Sequence, residues 1–353
     1  MPRQDDPPNG GPETAAVKET GRLRRKWLTF AAMALALLLC AGGIYLALNS
    51  AREEAQATTA PISAAPTTTQ SAAAAAATTA VSNTSGDRLW YNENVTNILL
   101  VGYDYGSEGL KWGRSDSMII LSVNKAAHRV TLVSLSRAAY AAIPGRGRAR
   151  LNNAHAWGGP DLLIETVELN YKVKIDHYIS AGFDSFTRII DALGGVDIRL
   201  TRAEVNYLDT LMKQNGADPS RGAGIYHLNG TLALAYARTR AIDTDRARTG
   251  RQRTVLKEIA EKARSMTASQ ALGFLAEFYP LVLTDFTQAG LAAGAAEALE
   301  WADYPLQEAV IPVVAPPLVM RGGQEVLILD WDAVRRDIRE LLYPGLEPQT
   351  PPA

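Results

Sequence analysis

The chain has 353 residues, 47% of them hydrophobic and 21% charged, with a formal net charge of −1. That balance lacks the basic footprint of a nucleic-acid-binding protein. The single cysteine, Cys40, excludes an intrachain disulfide framework, so any folded domain must stand on its apolar core.

Met1 to Gly21 is polar and rich in proline and glycine, and residues 1–26 read as a disordered tail. Trp27–Leu48 carries no charge over 22 residues. As a helix it would span about 33 Å, enough to cross a hydrocarbon core. Arg22, Arg24, Arg25 and Lys26 precede it, and Arg52 is followed at once by Glu53 and Glu54. The positive-inside rule then predicts a single-pass protein of the cytoplasmic membrane, N-terminus inside and C-terminal domain extracytoplasmic. A cleaved signal peptide ending near Ala55-Gln56-Ala57 fits less well, because the apolar run exceeds an ordinary h-region. Residues 49–88 form an Ala/Thr/Ser/Pro-rich linker with six consecutive alanines, Ala72–Ala77, and cannot build a core.

Strand and helix signals then alternate. Asn97–Gly102, Ser117–Asn124 and Arg129–Ser134 are short apolar runs, the last two joined by a turn at Lys125–His128 that predicts an antiparallel hairpin. Gly159–Asn170 has helical spacing, Ile175–Ser180 reads as a strand, and Phe183–Leu193 as a helix closed by Gly194-Gly195. Helices are also expected over Glu204–Met212, from Asn229 as N-cap through Tyr236, and over Arg251–Met266. The alternation predicts an α/β domain, a mixed sheet flanked by helices. Further on, Ser269–Tyr279 and Thr287–Trp301 look helical, Pro312–Pro317 is a breaker cluster, Val326–Leu329 a strand and Trp331–Leu342 a last helix. Residues 269–353 are expected to be a mostly helical appendage without chemistry.

Two groups of residues carry chemistry. Asp104 ends the first strand, and Arg114 and Asp116 open the second. Carboxylates at neighbouring strand ends can hold a hard divalent cation, and magnesium takes one or two of them plus phosphate oxygens and water. The plainer alternative is a salt bridge to Arg114 and a turn cap by Asp104. Arg137 follows the third strand at the same sheet edge, and Arg150 and Asn152 follow an arginine-containing loop. The second group is denser: six arginines fall between Tyr236 and Arg253, with only Asp243 and Asp245 among them. Arg248 and Gln252 share a helical face. Arg238 and Arg240 can face one ligand only where a helix stops between them. The excess of arginine implies an external anion, and the guanidinium fork matches phosphate oxygens two at a time. His128, His155, His177 and His227 lack metal-ligand spacing, and no Walker or Gly-x-Ser-x-Gly motif is present.

The ordered motifs Asn97-Ile-Leu-Leu-Val-Gly-Tyr-Asp104, Arg114-Ser-Asp116-Ser-Met, Val133-Ser-Leu-Ser-Arg137, Leu151-Asn152, Phe183 with Phe186, Asp191-Ala-Leu-Gly-Gly-Val, Leu228-Asn-Gly, Tyr236-Ala-Arg238-Thr-Arg240 and Asp245-x-x-Arg248-x-x-Arg251-Gln252 resemble the LytR-CpsA-Psr proteins of bacterial envelopes. The resemblance implies an extracytoplasmic catalytic domain over residues 89–268. It implies a lipid tail held in an apolar groove, and a phosphotransferase moving a glycan phosphate from a polyprenyl-pyrophosphate carrier onto peptidoglycan. It assigns Asp104 and Asp116 to magnesium, Arg114, Arg137, Arg238, Arg240 and Gln252 to the pyrophosphate, and Asp245 and Arg248 to the reaction centre, with Asp245 a candidate base. Arg150 and Asn152 are possible additions, while Arg246 and Arg253 are expected to face solvent. The expected partners are the lipid-linked glycan, the peptidoglycan acceptor and the membrane, and no nucleic acid. A lipid-pyrophosphate hydrolase and a non-catalytic lipid-binding protein are the alternatives. One departure stands out: where the family shows Pro-Arg-Asp, this chain has Ser136-Arg137-Ala138.

Overall fold

The apolar runs of the sequence become the centre of a six-stranded mixed sheet. The computed structural model describes residues 88–104, 111–264, 279–287 and 304–351, with residues 266, 270, 274, 277 and 301. The expected tail, membrane span and nearly all of the linker lie outside the described residues, as do most of the two helices expected between 269 and 301. Among the described residues no helix is long and apolar enough to cross a membrane.

Strands β1 (Val95–Tyr103), β2 (Ser115–Asn124) and β3 (Arg129–Leu135) form an antiparallel meander with Leu99 opposite Ile120 and Ile120 opposite Val133. The hairpin expected between the second and third runs is present. β4 (Tyr140–Ile143) and β5 (Gly147–Arg150) make a small hairpin ahead of the long helix α1 (Asn153–Tyr171), which kinks at Gly159. β6 (His177–Gly182) then runs parallel to β1. Alternation along β1 and β2 sends Leu99, Val101 and Ile120 to one face and Ile98, Leu100 and Ile119 to the other. Both faces are covered, which explains why these strands read as continuous apolar runs rather than alternating ones.

The covering layers come from the rest of the chain. On one face lie Leu163 and Val167 of α1. On the other lies a layer built around α2 (Phe183–Ala192), α3 (Arg202–Gln214), the hairpin of β7 (Val196–Leu200) with β8 (Gly224–Leu228), α4 (Gly230–Arg238) and α5 (Asp245–Arg264). Asn229 caps α4 as expected, its side chain accepting from Leu232 N–H at 3.0 Å. Helix α5 starts six residues before the expected Arg251. Thr244 opens it, its hydroxyl accepting from Ala247 N–H at 3.2 Å, with Asp245 in the favourable first turn.

The C-terminal residues correct the expectation of an appendage. β9 (Leu283–Thr284) pairs with β6, and β10 (Leu306–Ile311) extends the sheet in parallel beside β3, giving the order β10-β3-β2-β1-β6-β9. β11 (Leu318–Arg321) and β12 (Gln324–Leu327) form a hairpin, and α6 (Trp331–Leu342) packs onto the sheet through Val334, Ile338 and Leu342. Asn97 ties this end in, donating to Lys174 O at 2.8 Å and Tyr343 Oη at 2.7 Å. The division at 268/269 therefore cuts through one sheet.

Gly230 opens α4 where a Cβ would stand 2.2 Å from the carbonyl oxygen of Thr187 in α2. Gly230→Ala must separate α4 from α2, at about 1–3 kcal/mol. Thermal denaturation should show a fall in Tm of several degrees, and an unchanged Tm would mean that the two helices slide apart freely.

Candidate functional site

Two strand ends and two helix ends meet at one edge of the sheet. β1 ends at a bulge between Gly102 and Tyr103, and the next residue, Asp104, closes a tight loop onto Arg114. Its N–H donates to Arg114 O at 3.1 Å, and its Oδ1 accepts from Arg114 N–H at 2.6 Å. Only glycine fits at Gly113, since a Cβ there would lie 1.8 Å from Asp104 O. Beneath the loop, fully buried His155 contacts Gly113 O through Nδ1 at 2.8 Å and stacks on Tyr103 at 4.8 Å. Burial pushes the His155 pKa below the usual imidazole range, so it stays neutral there.

Asp116, at the start of β2, pairs with Arg137, which follows β3. Arg137 Nε lies 3.7 Å from Asp245 Oδ1 at the start of α5. The same oxygen stands 3.4 Å from Arg240 Nε and 3.0 Å from Arg248 Nη2, and Arg248 also donates to Asp245 Oδ2 at 3.2 Å. One carboxylate thus gathers three guanidinium groups. Arg248 is 3% exposed; burial, with repulsion from Arg137 and Arg240, drives its pKa down to about 10, while Asp245 and Asp116 act in the opposite direction. Arg150 is lowered first by burial and then by Arg137, Arg114 and Arg240, which makes those three its electrostatic neighbours.

Five arginines therefore share this corner with two carboxylates. Arg150 Nε and Arg248 Nε, both donors, are buried in this corner without a hydrogen bond. Open donors at a positively charged corner fit a site completed by a multi-oxygen anion.

Beside the corner, an apolar cavity runs between the sheet and α2, α4 and α5. Leu100, Ile119 and Ile179 floor it, and Phe186, Leu234, Val255 and Ile259 roof it. Its polar lining is confined to Asp116, Ser117, Arg238 and Gln252, which gather where β2 begins and α4 stops. Arg238 lies over the Phe183 ring at 4.4 Å, and Gln252 Nε2 reaches Asp116 O at 3.5 Å. A second cavity is lined by Arg137, Arg150, Arg240, Asp245, Arg246 and Glu325, with Val310, Pro312, Leu318 and Leu327. The Asp116–Arg137 pair stands between the two cavities.

The predicted residues are thus largely brought together. Asp116, Arg137, Arg240, Asp245 and Arg248 are in contact, Arg114 and Arg150 lie within their field, and Arg238 and Gln252 end the apolar cavity. Asn152 is buried beside them, its N–H donating to Arg137 O at 3.4 Å. Asp104 is occupied by the Arg114 backbone, and no group of three acidic, histidine or cysteine side chains able to hold a metal occurs among the described residues.

Two expectations for the arginine run need correcting. Arg253 does not face solvent: Nε donates to Glu308 at 2.8 Å and Nη1 to Ser134 Oγ at 2.7 Å. Arg251 is buried on Glu204 at 2.7 Å and on Asp243. Glu204 lies 47 residues from Arg251 and Glu308 lies 55 from Arg253, so part of the local charge excess is neutralised from afar. Arg246 does remain exposed, with one bond from Nη1 to Val313 O at 3.1 Å. His155, Gly113 and Glu325 carried no legible signal, because each acts through a tertiary contact. Ala138 packs into the core, its carbonyl accepting from Leu327 N–H at 2.8 Å.

A model of the LytR_cpsA_psr family matches residues 57–332. The chain is 30% identical over 260 residues to polyisoprenyl-teichoic acid–peptidoglycan teichoic acid transferase TagU of Oceanobacillus iheyensis, covering 71% of this chain and 74% of that protein. It is 35% identical over 183 residues to TagU of Enterococcus faecalis and 32% identical over 178 to TagT of Bacillus subtilis. Those two alignments cover 50% of this chain and 56% and 55% of the relatives, so the chain spans about half the length of each. A solved structure of TagT bound to LIIa-WTA superposes with a TM-score of 0.56 at 23% identity, over 71% of this chain and 91% of that one. YwtF (TagT) with bound octaprenyl pyrophosphate lipid gives 0.53 at 22% over the same shares. At these identities the superpositions show a common α/β fold with a central mixed sheet. From the family match and the extent of the TagU alignment, the chain belongs to the LytR_cpsA_psr family.

Proposed function

We propose that this chain is a membrane-anchored phosphotransferase. It moves a glycan phosphate from a polyprenyl-pyrophosphate carrier onto peptidoglycan and releases polyprenyl phosphate. The observation that carries this reading is the apolar cavity whose polar residues lie against an arginine corner short of carboxylates. A prenyl chain suits the cavity, and a pyrophosphate suits its polar end. The TagT structure with octaprenyl pyrophosphate and the transferase names of the relatives support the same assignment. Trp27–Leu48 as the anchor, with its basic N-terminal flank, would keep the domain at the surface where such a lipid resides.

In the proposed reaction an acceptor hydroxyl attacks the phosphorus that bears the glycan. The bond to the bridging oxygen breaks, and polyprenyl phosphate leaves with the electron pair and takes up the hydroxyl proton. Such transfer needs positioning and charge neutralisation more than covalent chemistry. Arg137, Arg240 and Arg248 are held in mutual register by Asp245, ready to bind the charge spreading over the phosphate oxygens. Three guanidinium groups meet one oxygen of Asp245, and spacing those arginines is the role its geometry favours. Asp104 and Asp116 are the carboxylates that would hold magnesium. Among the described residues no cluster of three such groups occurs, and magnesium would take its other ligands from phosphate and water. When bound, it would neutralise pyrophosphate oxygens.

Arg238→Ala and Asp116→Ala should each lower transfer from a lipid-linked glycan by roughly a hundredfold or more, with an unchanged circular-dichroism spectrum. Full activity in either variant would remove that residue from the site. An assay separating transferred from merely released glycan distinguishes the transferase from a hydrolase. Chelation should abolish transfer and magnesium restore it, with Asp104→Asn requiring a higher magnesium concentration for half-maximal rate. Undiminished transfer in the presence of chelator would eliminate the cation.

A further inference from the structure

We infer that the second cavity is the acceptor subsite, and that it takes a glycan strand bearing peptide stems, with the segment from Val310 to Leu327 as its outer wall. This rests on the transfer reading above. The first support is arrangement. Asp116 lines the apolar cavity, Arg137 lines the second, and the two side chains are ion-paired. A donor whose tail fills the first cavity presents its phosphates at the Asp116–Arg137–Asp245 line. An attacking hydroxyl must approach the phosphorus opposite the leaving group, and the second cavity meets the same ion pair through Arg137, where the apolar cavity meets it through Asp116. Water as acceptor would need no cavity with so mixed a lining.

The second support is chemistry. The lining is mixed where that of the lipid cavity is apolar. Arg150 and Arg246 reach beyond the three arginines held by Asp245, and Glu325 stands among apolar Pro312, Leu318 and Leu327. Sugar rings pair an apolar face with polar edges, and the carboxylates of a peptide stem match arginine forks. Arg150 Nε is buried without a hydrogen bond. The third support is the rim. Five of the nine exposed large hydrophobic residues among the described residues, Val313, Val314, Leu318, Met320 and Ile328, fall in or beside this one segment. Single exposed apolar residues are ordinary, but a contiguous patch beside a cavity marks a binding surface. Leu318 and Met320 are two apart on β11 and share a face.

The test is calorimetric titration of the full-length protein in detergent with soluble, uncrosslinked glycan strands carrying pentapeptide stems. Affinity for polyprenyl-pyrophosphate-linked glycan and the transfer rate are measured in parallel. The wild type should bind the strands. Arg246→Ala and Leu318→Asp should weaken that binding by about tenfold or more and raise the KM for acceptor, with the donor Kd within about twofold of wild type. Met320→Asp, at a 58% exposed position, provides a variant with little risk to folding. Strand binding unchanged in all three variants overturns the subsite, as does transfer by a wild type that shows no strand binding at this cavity. A wild-type dimer that Leu318→Asp dissociates, with strand affinity intact, would assign the rim to a second copy instead and overturn it too. Strand binding that the variants lose in a protein without transfer activity would keep the subsite and refute the transfer reading.

Discussion

The corner of the sheet depends on Asp245. Guanidinium groups a few ångströms apart repel one another, strongly so where water is scarce. A carboxylate between them turns that repulsion into fixed spacing. Asp245 Oδ1 meets Arg248 of its own helix, Arg240 of the preceding loop and Arg137 after β3, and Arg137 in turn holds Asp116 of β2. Four pieces of chain that are distant in sequence are thus locked by one ionic chain. Helix α5 has to start at Asp245, and not six residues later, for this to happen, and the Thr244 cap sets that start.

The same chain remains electrostatically incomplete. Burial, with repulsion from Arg137 and Arg240, lowers the Arg248 pKa to about 10, and the buried Nε donors of Arg150 and Arg248 lack hydrogen-bond partners. A fold tolerates such groups when the rest of the structure determines their positions. Here the determination comes from the sheet on one side and from Glu204 on the other. Glu204 caps α3 through its capping box and also holds Arg251. Arg251 donates to Thr239 O at 3.0 Å, anchoring the loop that carries Arg240. The arginine run is therefore divided by function: Arg251 and Arg253 build the frame, Arg240 lines the second cavity, and Arg248 lies buried behind it on Asp245.

What could be read in the sequence follows from which forces are local. The runs at Asn97–Gly102 and Arg129–Ser134, the cap at Asn229 and the whole helix Trp331–Leu342 carry their signals within a few residues, and the structure contains them. Arg238 and Arg240 straddle a helix end as their spacing required. The partners of Arg251 and Arg253 were illegible because Glu204 and Glu308 belong to other elements. β10 was missed for a similar reason. It is a partly buried edge strand followed at once by Pro312, and only its pairing with β3 makes it part of the sheet. The second cavity is lined in part by Val310 of β10 and by Pro312 after it, so no local pattern announces it.

The replacement at Ala138 gains meaning from this geometry. An aspartate beside Arg137 would be expected to orient that arginine. In this chain Asp116 and Asp245 approach Arg137 from two different elements, and its side chain is only 12% exposed. Two carboxylates from opposite directions fix a planar fork more firmly than one neighbour on the same strand end. Ala138 is free instead to join the core, and its carbonyl receives Leu327 N–H from β12. The small side chain also leaves room in that cavity beside Arg137, where an acceptor hydroxyl would have to pass.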